Sequence, residues 1–408
     1  MVVDKPPVSK RTGSRLCILS DTCTSIPYNS RMTDCEFTVS CATGDDWHQV
    51  STECLDRLAR VPDAASLGFI YLTGALAARL DDILDLCRTR TGVADWTGSV
   101  GNAICCNDQE IYDVPAMAIM LAALPADSYR LIPADINALA GLLERESGWL
   151  SERSVHFGIV HGDPRNSHIP QIIESVSAQL DPGFLVGGLS SADNQDEQLQ
   201  VAGSIQQGGL SGILLSAEVA VISSLTQGCA PLSGKHLITG CQGNLLTELD
   251  GRPALDVFRE DIGEVLARDL TRIGGYILAA FPIPGSDTGD YLVRNLIGFD
   301  PEDRLLMIGQ HLEEDTPVMF CKRDAEGARA DMQRMLDDLA KRAHGRRIRG
   351  GLYFSCLGRG RHQFGENSQE LQMIRQRLGD FPLVGFFANG EIFHNRLYGY
   401  TGVLTLFL

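Results

Sequence analysis

Two stretches of the chain repeat the same pattern. One covers residues 157–192 and the other covers residues 350–392. Each has a short apolar run, a polar loop with glycine and arginine, a helical stretch, and a second apolar run that contains Leu-Val-Gly. Repeats of this kind stack, bury a shared core and gather their loops on one face. The pattern therefore predicts a fold built from strand–loop–helix–strand units whose loops lie together.

A third and weaker copy begins at Gly68. Its segment 75–88 has apolar residues every three to four positions, which is typical of a helix. Mixed patterns of strand and helix indicate sheets covered by helices. We therefore predict a mixed α/β fold with two intertwined lobes, built from repeated strand–loop–helix–strand units plus antiparallel β-rich segments.

The segments between the two stronger copies are rich in strand signals. Residues 198–206 and 212–215 have the pattern of strands, and Gly208-Gly209 between them is typical of a hairpin turn. This β-rich character differs from that of the repeats. It predicts one sheet over residues 184–240.

The chain has 408 residues, which is enough for two or more domains. Its first 14 residues are polar with a proline pair and predict a disordered N-terminus. Glycine and proline cluster around residues 230–250, and we place a domain boundary there, with domains over 15–240 and 241–408. The N-terminus lacks the apolar core of a signal peptide, and no run approaches about 18 apolar residues, so we expect no membrane insertion.

The chain carries a formal net charge of −17. Nucleic acids and anionic membranes need a basic surface, so this charge argues against both as the main partner. The 12 cysteines are scattered and form neither a Cys-x-x-Cys nor a haem-attachment motif. Such a composition is typical of a cytoplasmic protein whose thiols stay reduced.

The common catalytic motifs are absent from the sequence. Segment 228–236 resembles a phosphate-binding loop, but it has one residue too many between its glycines, and His236 replaces the magnesium-binding Ser or Thr. No dinucleotide fingerprint follows a strand, and neither Gly-x-Ser-x-Gly nor His-Glu-x-x-His occurs. Nucleotide-binding, serine-hydrolase and zinc-protease functions therefore lose their sequence support.

The first repeated loop carries His161, Asp163 and Arg165. An imidazole at a strand end can bind a metal or haem iron, or hydrogen-bond a ligand carboxylate. We therefore predict that His161 contacts the ligand and coordinates the iron if haem is bound. The structural alternative is a hydrogen bond that fixes the loop, with Asp163 capping the turn before Pro164.

The second repeated loop carries Cys356 and Arg359 among glycines. Glycine allows close backbone approach, and exposed amides beside Arg359 suit an anion. Arginines near a thiol lower its pKa, so Cys356 is a candidate reactive cysteine, and a buried structural thiol is the alternative. Glu391 follows the last Leu-Val-Gly and either binds a ligand amine, pairs with Arg359, or forms an ordinary surface salt bridge.

Residues 341–349 form a basic run in this acidic chain. The simplest interpretation is a set of cations at a helix C-terminus, where the helix dipole favours positive charge, followed by a solvated loop. A docking patch for a partner is the alternative.

Seven segments in their order along the chain resemble the FIST proteins, which have an N-terminal and a C-terminal FIST domain. The segments are VHGDPR, FLVGGLSSA, GCAPLSGKHLITGCQGNLLTELDGRPALDVF, YLVRNLIGFDPEDRLLMIG, VMFCKRD, FSCLGRG and PLVGFFANGEI. The resemblance runs from residue 15 to residue 408. Family motifs fall on His161 to Pro164, on Cys356 with Gly358 to Gly360, and on Gly390-Glu391.

This resemblance implies a sensory module that binds a small ligand, and amino acids have been proposed as ligands of the family. Some stand-alone bacterial members are similar to haem-binding nitric-oxide sensors that regulate a histidine kinase. The resemblance therefore implies a cytosolic sensor without catalysis, with haem b as the expected cofactor in the nitric-oxide branch and a separate signalling partner such as a histidine kinase. The predicted ligand contacts are His161, Asp163, Arg165, Cys356, Arg359 and Glu391.

Two other functions stay open at this point. One is a thiol enzyme in which Cys356 is the nucleophile and His161 or His362 is the base, a pair that requires hydrogen-bond reach. The other is a scaffold that recognises a protein through residues 341–349.

Overall fold

The computed structural model describes residues 36–283 and 290–408. The stretch over residues 1–14, for which we predict disorder, lies outside these ranges. The described residues form a mixed α/β fold, which confirms the predicted fold class. None of the helices in these ranges has the length and apolar character needed to span a bilayer.

Strands and helices are numbered in chain order. The strands are β1 Phe37–Thr43, β2 Leu67–Thr73, β3 Asp95–Gly101, β4 Ile104–Cys106, β5 Gln109–Ile111, β6 Ala116–Ala122, β7 Tyr129–Ile132, β8 Phe157–Gly162, β9 Phe184–Leu189, β10 Gln200–Ala202, β11 Ser204–Gln206, β12 Leu210–Leu215, β13 Val221–Gln227, β14 Cys229–Pro231, β15 His236–Gln242, β16 Leu245–Leu249, β17 Arg252–Pro253, β18 Ile277–Pro282, β19 Tyr291–Asp300, β20 Leu305–Ile308, β21 Pro317–Arg323, β22 Gly350–Cys356, β23 Leu383–Ala388, β24 Glu391–His394, β25 Arg396–Tyr398 and β26 Thr401–Phe407. The α-helices are α1 Trp47–Asp56, α2 Leu80–Thr91, α3 Ile136–Arg145, α4 Ser147–Glu152, α5 Ile169–Ser177, α6 Ala254–Ala267, α7 Ala325–Ala343, α8 Arg361–Phe364 and α9 Gln369–Leu378.

Three repeats of six strands make up most of the fold. The first repeat is β1 to β6, the second is β7 to β12, and the third is β13 with β22 to β26. In each repeat the second and third strands are parallel and joined through a helix, as the sequence pattern predicts. The last strand of each repeat returns antiparallel beside the first strand of that pair. The weak copy that begins at Gly68 is therefore part of a full repeat.

The repeats exchange their hairpins in a cycle. The fourth and fifth strands of each repeat form a hairpin that joins the sheet of another repeat: β4–β5 pairs with β23, β10–β11 with β3, and β24–β25 with β9. Each of the three six-stranded sheets therefore contains four strands of one repeat and two of another. The predicted intertwining is present, and it links three sheets.

One glycine in each repeat allows the parallel strands to approach. Gly98, Gly187 and Gly385 occupy equivalent positions in β3, β9 and β23. A Cβ added at any of them would lie 1.7–1.8 Å from a carbonyl oxygen of the neighbouring parallel strand. No side chain fits in that space, so each repeat requires glycine at this position.

Each six-stranded sheet has one face in a shared core and the other against helices. Phe69 of the first sheet, Ile159 of the second and Phe354 of the third lie in the shared core. Helices α1 and α2 cover the outer face of the first sheet, α3 to α5 that of the second, and α7 to α9 that of the third. Strands buried on both faces are apolar without alternation, which explains the apolar runs in the sequence.

A closed antiparallel barrel is inserted into the third repeat between β13 and β22. Its strands pair in the ring β21–β15–β16–β20–β19–β18, and β18 pairs back with β21. Helix α6 places Leu255 and Phe258 in the barrel core against residues such as Ile238 and Phe320. The barrel has its own apolar core. It meets the third repeat where β14 contacts α7 and where Arg323, at the end of β21, donates to the Gly358 carbonyl.

The prediction of one sheet over residues 184–240 is wrong. Strands in this range belong to four sheets, because β9 and β12 join the second sheet, β10–β11 the first, β13 the third, and β14 and β15 the barrel. A hairpin that pairs with a distant repeat has the same local pattern as one that pairs with its sequence neighbours. Residue 240, where we place the domain boundary, lies inside β15.

Candidate functional site

The carboxyl ends of the parallel strands meet at one place. The Ser191 amide after β9 donates to the Val100 carbonyl of β3 at 3.2 Å. The Asn389 amide after β23 donates to the Leu189 carbonyl of β9 at 3.1 Å. The loops of the three repeats therefore lie together, as the repeat pattern predicts. In sheets with parallel strands, ligands commonly bind at this end of the strands.

Three rings, one from each repeat, form a triangle in the shared core. Tyr71 in β2, His161 in β8 and Phe354 in β22 each lie three residues after a glycine in the same strand. Their ring centroids are 5.6 Å apart for Tyr71 and His161, 5.9 Å for His161 and Phe354, and 6.1 Å for Tyr71 and Phe354. His161 therefore lies inside the core and not on an open loop.

The imidazole of His161 is fully buried and neutral. Its Nε2 lies 3.1 Å from the Tyr71 hydroxyl, and its Nδ1 has no hydrogen-bond partner among the described residues. Burial lowers the pKa of His161 to about 3, because an enclosed imidazolium loses the stabilisation that water provides. The hydrogen bond between Tyr71 in the first sheet and His161 in the second joins the two sheets.

A haem iron at His161 does not fit this arrangement. Coordination needs a ring nitrogen with open space beside it for the flat macrocycle. Tyr71 occupies the space beside Nε2, Nδ1 is itself buried, and the rings of Phe354 and Phe386 lie 5.9 Å from the imidazole. Within the described residues, no group of three or more His, Cys, Asp or Glu side chains is placed to hold a metal ion.

Asp163 and Arg165 fix their own loop. The buried Asp163 carboxylate accepts the Arg165 amide at 2.9 Å, the Arg165 guanidinium at 2.6 Å and the Gly208 amide at 2.8 Å. Burial opposes ionisation, but these donors keep the pKa of Asp163 below its usual value. These bonds tie the loop after β8 to the turn before β12. Asp163 therefore has a structural role in its loop, which was the alternative to ligand binding.

Arg359 is fully buried and ion-paired with Glu370 of α9. The Arg359 Nη2 lies 2.7 Å and its Nε 2.9 Å from Oε1 of Glu370. The same carboxylate also accepts hydrogen bonds from the Tyr353 and Ser355 hydroxyls and from the Gly360 amide, at 2.8, 2.9 and 3.0 Å. The anion that the Gly/Arg loop suggested is therefore a carboxylate of the chain itself. In the part of the chain that the structure describes, Nη1 of Arg359 has no hydrogen-bond partner.

Cys356 and Glu391 lie together at the ends of β22 and β24. Glu391 is fully buried and accepts the Thr401 amide at 3.0 Å and the Thr401 hydroxyl at 2.8 Å. Burial raises the pKa of Glu391 to about 8, against the hydrogen bonds of Thr401 and the charge of Arg359. Burial, followed by the nearby carboxylate of Glu391, raises the pKa of the Cys356 thiol.

Five of the six predicted residues form two groups, and His161 stands apart from both. Cys356, Arg359 and Glu391 are neighbours, whereas Asp163 and Arg165 form a separate loop contact. His161 and Glu391 both pair in register with Gly188, so they lie two strands apart in one row of the second sheet. The structure describes no hydrogen bond between Cys356 and a histidine, which leaves the thiol-enzyme alternative without its base.

Three important side chains were missed from the sequence. Tyr71 occupies the position equivalent to His161, so aligning the weak third copy with the first would have found it. Glu370 lies in the helix after the Gly/Arg loop, where it has the pattern of an ordinary surface residue. Glu110 comes from the exchanged β4–β5 hairpin, accepts the Tyr112 hydroxyl at 3.0 Å, and has a pKa raised to about 7 by burial and by Glu370. The sequence around Glu110 does not indicate that this residue lies beside the third repeat.

An open cleft of about 420 Å³ borders the loop after β22, and we call it the loop cleft. Its barrel side has the exposed ring of Tyr276 and the guanidinium of Arg323, and its repeat side has His362 and Gln363. Arg323 also donates to the Gly358 carbonyl, and Gln363 to the Gly228 carbonyl, so both cleft walls are fixed. Oε1 of Gln363 is buried without a hydrogen bond.

Replacing His161 is expected to change how stability depends on pH. The pKa of this group is 6.5 without burial and about 3 in the folded protein. Between these values the unfolded chain binds a proton that the folded protein excludes, so stability falls as pH drops, by up to about 1.4 kcal/mol per pH unit. Urea unfolding of wild type and His161→Gln from pH 7 down to pH 4 should show a smaller loss in the variant.

The difference between the two proteins isolates His161, because Glu391 and all other groups titrate in both. Tyr71→Phe is the control, since it removes the hydrogen bond but keeps the titrating ring. A His161→Gln curve parallel to that of wild type would contradict a buried, neutral imidazole.

Residues 66–252 match the FIST N domain, and residues 254–394 match the FIST C domain. An uncharacterised protein of Mycobacterium tuberculosis (strain CDC 1551 / Oshkosh) is 32% identical over 342 residues, which are 80% of this chain and 87% of that protein. An uncharacterised protein of Mycobacterium bovis (strain ATCC BAA-935 / AF2122/97) is 30% identical over 389 residues, which are 91% of this chain and 98% of that protein. FIST domains are sensor domains of signal transduction that bind small ligands. The chain belongs to the FIST family.

Proposed function

We propose that this protein is a cytosolic sensor that binds a small polar molecule in the loop cleft and signals to a separate protein. The observation that carries the proposal is the position of this cleft. It lies between α8, the short helix that follows the Gly/Arg loop of the third repeat, and the barrel, so a ligand there contacts both. A ligand with different affinities for two arrangements of these elements shifts the balance between them.

The side chains of the loop cleft suit a free amino acid. Arg323 and His362 offer donors for a carboxylate, and a guanidinium binds carboxylates with matched geometry. Asp324 offers an acceptor for the ammonium group, and the Tyr276 ring offers an apolar surface for a side chain. The ligand class that the family resemblance implies is therefore consistent with the residues of this cleft.

A thermal-shift screen of free amino acids is the direct test. A ligand at about 100 times its Kd adds about 2.7 kcal/mol of stability, which raises Tm measurably. We expect at least one amino acid to raise Tm in the wild type and in Arg268→Gln, which alters an exposed arginine that does not line the cleft. Arg323→Gln should lose the shift. No stabilising amino acid, or the same shift in Arg323→Gln, would contradict the proposal.

Three of the predicted residues, His161, Arg359 and Glu391, each have one buried polar atom that forms no hydrogen bond within the described residues. Such atoms are costly to leave unpaired, so they are positions where a water or a ligand group gains a hydrogen bond. Direct ligand contact by these residues, and by Asp163, Arg165 and Cys356, stays a prediction.

Haem, nitric oxide and a histidine-kinase partner also stay predictions. The arrangement around His161 gives no support to haem, and the absorption spectrum of the protein after haem addition decides the question. A sharp Soret band at one haem per chain that moves with nitric oxide would place the protein in the haem branch. Autophosphorylation of a candidate kinase, measured with and without this protein, tests the partner.

A further inference from the structure

A basic cleft lies at the end of β22 opposite to the loop cleft. It has a volume of about 510 Å³, and its lining includes Arg346 and Arg347 from the segment before β22, Arg60 from the first repeat, and the ring of Phe37. Strands rise about 3.3 Å per residue, so the seven residues of β22 separate the two clefts by about 20 Å. The basic cleft is therefore a different site from the loop cleft.

Arg346 and Arg347 keep their charge available. Both side chains are exposed, and within the described ranges neither has a hydrogen-bonded or ion-paired carboxylate. The acidic residues that line the cleft form ion pairs with other arginines, because Glu36 pairs with Arg60 and Asp380 pairs with an arginine of α9. In a chain of net charge −17, this cleft is a local region of uncompensated positive charge.

The helix dipole explains only some of the charges in the basic run at residues 341–349. Helix α7 ends at Ala343, and His344 has the left-handed conformation that terminates it. Lys341 and Arg342 are the cations of the last turn, where the helix dipole favours them. The next arginines lie beyond the helix end and line the cleft, so the dipole does not explain them.

A second cleft adjoins the first, and we call it the apolar cleft because its charged lining residues, Arg375, Asp108 and Asp380, are ion-paired with one another. Its volume is about 410 Å³, and Val39 of β1 and Leu371 and Ile374 of α9 line it. Phe381 and Pro382 line both clefts, so the two meet at the segment before β23. Volumes in this range are typical of small-molecule sites, about 300–1,000 Å³.

We propose that the two adjoining clefts bind one amphipathic anion. Arg346 and Arg347 contact its carboxylate, and its alkyl chain packs on Leu371 and Ile374 past the ring of Phe381. The basic cleft supplies cations that have no carboxylate partner within the described residues, and the second cleft extends its apolar wall with Leu371 and Ile374. The cation of the second cleft, Arg375, is paired with Asp108 and Asp380. The chemical class is a medium-chain carboxylic acid in its ionised form. This site goes beyond the proposed function and does not depend on it.

Titration calorimetry with decanoate below its micelle concentration tests the proposal on the full chain. We expect saturable binding of one decanoate per chain. Arg346→Gln combined with Arg347→Gln should weaken binding at least tenfold, because the carboxylate then loses both cations. The matched control is Arg268→Gln combined with Arg272→Gln, which changes net charge equally at exposed barrel positions and should leave the affinity unchanged.

Two further probes separate the parts of the site. Decanol has the same chain without the charge and should bind at least tenfold more weakly than decanoate. Acetate has the charge without the chain and should not bind at the same concentrations. Equal affinity for decanol and decanoate, equal affinity for acetate and decanoate, no saturable decanoate binding, or unchanged binding in the Arg346/Arg347 variant would each overturn the proposal. Unchanged far-ultraviolet dichroism shows that the variants are folded.

The result is independent of the amino-acid screen. Arg323→Gln alters the loop cleft only and should bind decanoate as the wild type does. Binding of decanoate without binding of any amino acid would support this site and contradict the proposed function. Binding of an amino acid without binding of decanoate would do the reverse.

Discussion

Gly187→Ala is expected to prevent the chain from reaching its native fold. The new Cβ would lie 1.7 Å from the carbonyl oxygen of Val160, and φ at this residue is +148°, a conformation that side chains disfavour. Parallel strands β8 and β9 would have to separate, which breaks the pairing at the centre of the second sheet. Losses above about 4–5 kcal/mol are exceptional for one substitution and approach the whole stability of many domains, about 5–15 kcal/mol.

Soluble yield, far-ultraviolet dichroism and the urea midpoint measure this effect. Gly98→Ala and Gly385→Ala should behave in the same way, because the three glycines are equivalent. Gly148→Ala is the matched control, since it lies in α4 and a Cβ there meets nothing within 4 Å. Alanine in a helix stabilises by up to about 1 kcal/mol relative to glycine. A Gly187→Ala protein with the urea midpoint of wild type would contradict the close approach of β8 and β9.

Arg359→Met is expected to destabilise the protein by about 3–5 kcal/mol. The substitution leaves the Glu370 carboxylate buried without the guanidinium that pairs with it, and breaking a buried ion pair on one side costs this much. The hydroxyls of Tyr353 and Ser355 still donate to Glu370 in Arg359→Met, but the carboxylate keeps its unpaired charge. Glu370→Gln combined with Arg359→Met leaves no charge unpaired, so its loss of stability should be smaller. Urea unfolding at pH 7 measures all of these variants.

Arg377→Met is the control for this substitution. Arg377 pairs with Asp337 on the surface, where both side chains are 41% exposed. Exposed pairs contribute about 0–1 kcal/mol. Equal losses for Arg359→Met and Arg377→Met would mean that the Arg359 pair is not a buried structural element.

The sequence pattern predicted the repeated unit correctly because that information is local. An apolar run, a polar loop, a helix and a second apolar run are consecutive, so the parallel pairs β8–β9 and β22–β23 follow from the pattern. The exchanged hairpins do not follow, because β10–β11 has the same residues whether it pairs with the first sheet or the second. The partner of a strand depends on distant contacts.

The candidate site shows the same limit. His161 and Arg359 were found because polar residues at strand ends are conspicuous in the sequence. Their partners, Tyr71 and Glu370, decide what they do, and these come from another repeat and from the following helix. A glycine-rich loop with an arginine indicates an anion-binding geometry, but the sequence does not reveal whether the anion is a ligand or a carboxylate of the same chain.

The cyclic exchange of hairpins has a consequence for synthesis of the protein on the ribosome. The β4–β5 hairpin emerges early, but its partner strand β23 emerges only after most of the chain has been translated. Contacts between residues so distant in sequence form slowly, and unpaired strand edges exposed in the meantime favour aggregation. A nascent chain therefore cannot complete its third sheet until β23 has left the exit tunnel, and translation stopped between the two FIST domains yields a product with open sheet edges. Such truncated products should depend on chaperones in a way that the finished protein does not.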